Sequence, residues 1–120
     1  MKPIPVQMLQ HTVRLVVPDG VGVQQNVTSA HDYYIHRTCL QDENTTVKAT
    51  DNTAVNTNAL LFVDARLSYP RLDWWALKMD ADSAGGDLVV HYGDRAYTVV
   101  TVKRLLDNYA RLHHYEVAMI

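Results

Sequence analysis

From His11 to Val17 the residues His11, Val13, Leu15 and Val17 alternate with Thr12, Arg14 and Val16. That period-2 pattern lays an apolar stripe along one face of a β-strand. Pro18-Asp19-Gly20 supplies turn chemistry after it, since Pro fixes φ and Gly tolerates a positive one. A second strand is expected over Asp32 to Leu40, with Tyr33, Ile35 and Cys39 on one face and Tyr34, His36, Thr38 and Leu40 on the other, and a weaker one over Val21 to Thr28. Gln41 to Asn58 breaks the pattern. It is crowded with Asn, Thr and Asp and shows no sustained period, which predicts a long polar loop. Loops of that length in small domains are generally functional or disordered.

Order resumes at Ala59-Leu60-Leu61-Phe62-Val63, a short apolar strand. Between Arg71 and Met79 the residues Leu72, Trp75 and Met79 fall at helical spacing and predict a short helix, and Asp80 to Asp87 is a turn region containing Gly85-Gly86. Leu88 to Tyr92 and Arg95 to Lys103 flank Gly93-Asp94, the signature of a hairpin with a type II′ turn. After a loop from Leu106 to Leu112, His113 to Ile120 forms the last strand. These elements predict an all-β chain: one domain over residues 1–120, a small antiparallel β-barrel with one short helix and the polar loop 41–58.

Composition narrows the function classes. Lys plus Arg number 11 against 13 Asp plus Glu, a net charge of -2, which disfavours tight nucleic-acid binding even though Trp74-Trp75 and seven tyrosines offer stacking surfaces. Such aromatics are more often core or interface anchors. No apolar run is long enough to span a bilayer and no signal peptide is evident, so a soluble protein without membrane partners is expected. The single cysteine, Cys39, reads as a core residue of a protein assembled in a reducing cytoplasm.

Candidate chemistry is sparse. On a strand, His114 and Glu116 share a face while His113 points away, giving two ligands where a metal needs a third, such as His11, His91 or Asp64. Asp64 and Arg66 are spaced for a same-face ion pair of a kind found on solvated rims and subunit contacts. No nucleophile elbow, phosphate loop or zinc motif is present. The expectation is therefore a non-enzyme without catalytic residues, metal or cofactor.

Two segments carry a resemblance. Leu61-Phe62-Val63-Asp64-Ala65-Arg66-Leu67-Ser68-Tyr69-Pro70 and Leu112-His113-His114-Tyr115-Glu116-Val117 resemble stretches of tailed-phage and prophage minor capsid proteins. Pro3-Ile4-Pro5 with His11-Thr12-Val13 is similar to that family's start, and Tyr97 to Val102 sits where its penultimate strand would be. The resemblance implies a head–tail connector of the stopper, or head-completion, kind in the virion neck. Its partners would be copies of itself in a ring (a hexamer or dodecamer), the portal or adaptor, and a tail-completion or tail-tube protein, with packaged DNA passing through unread. By position the resemblance makes Asp42, Glu43, Asn44, Thr45, Thr46, Val47, Lys48, Ala49, Thr50, Asp51 and Asn52 the channel loop. Its three acids against Lys48 alone would repel phosphates, so retention would be steric. Asp64, Arg66, Tyr69, Trp74, Trp75, His113, His114 and Glu116 become interface candidates. The alternatives are another virion structural protein, such as a tail-completion or capsid-associated subunit, or a metal-dependent hydrolase built on His113, His114 and Glu116.

Overall fold

The computed structural model describes residues 2–18, 31–49 and 51–120. Among them lie six strands, β1 (His11–Val17), β2 (His31–Lys48), β3 (Ala54–Asp64), β4 (Val89–Tyr92), β5 (Arg95–Leu106) and β6 (Leu112–Met119), and one α-helix, α1 (Trp74–Ala84). The expected strand over Val21 to Thr28, the end of the Pro18-Asp19-Gly20 turn, and Thr50 fall outside the described residues.

Every strand pairs antiparallel with its neighbours, and the order β1-β2-β3-β6-β5-β4 closes on itself through β1 and β4. Val13, Leu15 and Val17 of β1, Leu61 and Val63 of β3, Val90 of β4, Tyr97 and Val99 of β5 and Tyr115, Val117 and Met119 of β6 all point into one buried cluster. Closure pairs strand edges that would otherwise present rows of unpaired backbone groups around the ring.

α1 covers the inner side of the ring: its buried residues are Trp74, Leu77 and Ala81, at i, i+3 and i+7, and all three join the strand cluster. This is a correction to the expected helix over Arg71 to Met79. The buried stripe is shifted from Leu72, Trp75 and Met79, and Met79 is exposed. Asp73 sets the start, its carboxylate accepting from Ala76 N at 3.0 Å as an N-cap. Gly85, at φ 72°, ends the helix as Gly86 N donates to Ala81 O and Gly85 N to Asp82 O, a Schellman arrangement. Asp80 to Ala84 are thus helical and not turn.

A bulge in β2 changes which residues face inward. His11 is opposite Thr38 while Val13 is opposite Ile35, so β2 carries one extra residue there, and Arg37 sits at φ 61°. An inserted residue inverts the alternation downstream. Ile35 is in the core, but past the bulge it is Leu40, paired with Leu61, that packs inward. Cys39 instead shares the outer face with its partner Phe62, against the expectation that it follows Tyr33 and Ile35.

The segment Gln41 to Asn58, expected as loop, is strand on both sides of a tight turn. Thr45 pairs with Thr57, Thr46 with Asn56, Val47 with Val55 and Lys48 with Ala54. Ala49 N donates to Thr53 O and Asn52 N to Ala49 O, closing the tip. The long polar loop is a hairpin arm.

Candidate functional site

The two segments that carry the family resemblance lie side by side. β3 and β6 pair with Leu61 opposite Val117, Phe62 opposite Glu116 and Asp64 opposite His114. At the exit of β3, Asp64 is 4% exposed, and its Oδ1 accepts from Arg66 N at 2.7 Å and Leu67 N at 2.9 Å. The carboxylate is spent on this turn, so the expected Asp64–Arg66 ion pair is not formed, and Arg66 is exposed. Ser68 Oγ accepts from Asp64 N at 2.8 Å and donates to Arg37 O. The following residue bridges to β2: His36 N donates to Tyr69 O at 2.8 Å, Tyr69 N to His36 O at 3.2 Å, and the two rings stack at 4.8 Å. Tyr69 keeps an exposed face beyond that stack.

On the outer face of β6 the side chains form a linear chain. His113 Nε2 lies 2.7 Å from Lys2 O, His113 Nδ1 lies 2.7 Å from His114 Nδ1, and His114 Nε2 lies 2.9 Å from Glu116 Oε2. The histidines do not diverge to opposite faces as strand alternation predicts; they meet. The two Nδ1 atoms face each other and His114 Nε2 faces Glu116, and among the described residues no group of three or more His, Cys, Asp or Glu is arranged to hold a metal ion. The N-terminal segment lies over this face as a strap. A cleft of about 360 Å³ separates Pro3, Ile4, Pro5 and Met8 from Cys39, Phe62 and His114. Burial raises the Cys39 thiol above its ordinary value, partly countered by a hydrogen bond with Gln41. An inert neutral thiol follows from that environment.

The hairpin arm holds the channel candidates. Asp42, Glu43, Asn44, Thr45, Thr46 and Lys48 are exposed along β2, and Asp51 and Asn52 stand at the tip. Hydrogen bonds from Thr53 hold the Asp51 carboxyl below its ordinary value, and Thr53 N donates to Asp51 Oδ1 at 3.0 Å. Across the arm Thr46 Oγ1 donates to Asn56 Oδ1 at 2.7 Å, and Thr57, 2% exposed, donates to Thr45 O at 3.2 Å. Asp42 meets Arg95 at 3.3 Å. The tip stands beside the helix: Lys48 and Ala49 share a cleft of about 190 Å³ with Trp75, Met79 and Val102.

The remaining interface candidates divide by burial. Trp74 is fully buried in the core and, like Asp64, offers no surface; His114 is covered by the strap side of the ring. Trp75 is half-buried with the Arg104 guanidinium 3.8 Å from its ring centroid, a cation–π contact. Tyr115 points inward to Asp73, 3.5 Å from its Oδ1. Burial, reinforced by the Asp73 carboxylate, pushes the Tyr115 phenol up to about 12. The folded state therefore holds this proton above the usual phenol value of about 10. Stability tied to it is complete below that value and is lost as pH rises through the folded one. Tyr115→Phe, with no proton to lose, should flatten the fall in melting temperature between about pH 10 and about pH 12; a slope equal to wild type would refute this.

The loop expected from Leu106 to Leu112 is the β5–β6 turn, but the sequence singled out none of its side chains. Tyr109 is 79% exposed there, with Arg111 over its ring at 5.2 Å. Asp107 Oδ1 accepts from Tyr109 N at 2.8 Å and Arg111 N at 3.0 Å, bonds that lower the Asp107 carboxyl. The signal available was Asp107-Asn108, an Asx-type turn opener, followed by an aromatic and an arginine.

Comparison with protein-family models, with curated proteins and with solved structures finds no match.

Proposed function

We propose that this chain is a structural subunit of the head–tail connector of a tailed phage, a stopper-like β-barrel that assembles as a ring between portal or adaptor and tail and helps retain packaged DNA. The observation that carries the reading is the arm. β1 accompanies β2 only as far as Thr38, and β6 accompanies β3 only from Ala59, so in the described structure residues 45–48 and 54–57 pair with each other alone. Outer strand edges of that length are normally blunted or covered. A ring built by rotation needs each subunit to present two different surfaces, one to each neighbour. The two edges of one arm are two such surfaces. Support also comes from the adjacency of the resembling segments, which makes them one continuous piece of β3, its exit turn and β6.

Replacing Thr46–Asn56 by Asn-Gly trims the arm at a paired position, Thr45 opposite Thr57, and gives a two-residue hairpin. The trimmed protein should fold with unchanged near-ultraviolet circular dichroism but fail to form rings by mass photometry and fail to keep DNA in heads. Intact rings and full DNA retention would reject the arm's role. A full-length chain that joins no neck component in imaged particles would reject the connector reading itself, and finding it at another virion position would favour the tail-completion or capsid-associated alternative.

A further inference from the structure

We propose that copies of this chain join head to tail by seating Glu43 of one subunit in the cavity beside Arg37 of the next. Two bulges in β2 create the pair. At the first, Arg37 takes φ 61° where β2 carries its extra residue against β1. Arg37 lines a surface cavity of about 460 Å³ with Val6, Gln7, His36 and Tyr69, and no Asp or Glu borders it among the described residues. At the second bulge Asp42 is opposite Ala59 and Thr45 opposite Thr57, so Glu43 and Asn44 face one β3 residue, Asn58. An extra residue of this kind leaves the ladder and re-aims its side chain. Both Arg37 and Glu43 are exposed, and neither side-chain charge has a hydrogen bond or ion pair among the described residues.

The two charges are separated along one strand by about 20 Å at the rise of an extended chain, too far to pair within a subunit. Neighbouring groups offer them no other partner. Asp42 is engaged by Arg95 at 3.3 Å, and Asp64, linked to Arg37 O through Ser68, is buried with its carboxylate on Arg66 N and Leu67 N. The cavity supplies more than a charge. The exposed face of Tyr69, backed by the His36 ring at 4.8 Å, can cover the Glu43 methylenes, and the Gln7 side-chain amide can bond that of Asn44. Partial enclosure makes such an ion pair stronger than one on an open surface. The Arg37 and Glu43 patches are different surfaces of one subunit, so the contact is heterologous: it closes a ring if the rotation closes and extends as a filament if it does not. A second copy as the occupant follows from the connector reading, on which this contact therefore rests.

Sedimentation velocity of the full chain over a range of concentrations tests it. Wild type should associate at low salt and less readily at high salt, where the ion pair is screened. R37E and E43R each set like charges against one another in the cavity and should raise the concentration needed for half-association by roughly tenfold or more. The double variant R37E/E43R restores the pair with its polarity reversed and should return to within about threefold of wild type. A monomer at every concentration, single variants that associate like wild type, or a double variant no better than the singles overturns the contact. Should R37E fail to fold, R37N takes its place, because Asn tolerates the φ of 61°. R37N and E43Q should then weaken association by a similar factor and together by no more than either alone; independent losses overturn the pairing. Rings that persist with either charge reversed leave the connector reading standing without this contact. Filaments in place of rings, with the charge swap still restoring association, keep the contact and remove the ring.

Discussion

Trp74→Ala should unfold this protein more readily than any other single truncation, by about 3–5 kcal/mol. Trp74 is the largest fully buried side chain and starts the helix whose inner stripe fills the ring, so its removal leaves a void bordered by strands that are hydrogen-bonded on both sides and cannot collapse inward. One feature tempers the cost of a smaller change: the indole Nε1 is buried without a hydrogen-bond partner among the described residues. Phe keeps most of the ring volume and deletes that donor. Trp74→Phe should therefore cost only about 1–2 kcal/mol, the cavity loss being offset by relief of an unsatisfied polar group. Urea midpoints at constant m-value measure both. A Phe loss as large as that of Ala would mean that the indole N–H is hydrogen-bonded in solution and that losing this bond, not the volume, dominates the cost.

That tryptophan also shows where sequence reading stops. Trp74-Trp75 announces a buried aromatic, but both spacings, Leu72/Trp75/Met79 and Trp74/Leu77/Ala81, are helical. The choice between them rests on the Asp73 cap and the Gly85-Gly86 stop, which fix the ends and so the phase. Hairpin β4–β5 was legible because its turn has a local requirement: Gly93 takes φ 60° and Asp94 stays negative, as a type II′ turn demands. β1 was legible because one face is buried and the other is not. The arm was not, for the converse reason. Most of its residues are exposed on both faces, so no apolar alternation marks it, and only the β-branched pairs Thr45/Thr57 and Val47/Val55 hint at a ladder. The histidine cluster was half legible. Alternation placed Glu116 beside His114 correctly, while the meeting of His113 with His114 and the overlying strap are tertiary facts that no local spacing encodes.

Asp64→Ala should cost about 1–3 kcal/mol in the isolated chain, because it removes the buried carboxylate that accepts from the N–H groups of Arg66 and Leu67 where the chain leaves β3. Both donors converge on the same oxygen, Oδ1, so a neutral amide can replace the carboxylate without losing either bond. Asp64→Asn should then stay within about 1 kcal/mol of wild type. If the residue instead acted through its charge on a partner or a neighbouring arginine, Asn and Ala would be equally damaging, and the damage would appear in assembly and not in the monomer's urea midpoint. Ser68 extends the test. Its hydroxyl joins Asp64 N to Arg37 O, linking the exit turn to the bulge that reverses β2. The Asp64→Ala and Ser68→Ala losses should therefore be less than additive, with a coupling of about 1 kcal/mol in a double-mutant cycle. Strict additivity would show that turn and bulge are independent, and that the inversion placing Leu40 inside and Cys39 outside is held by strand pairing alone.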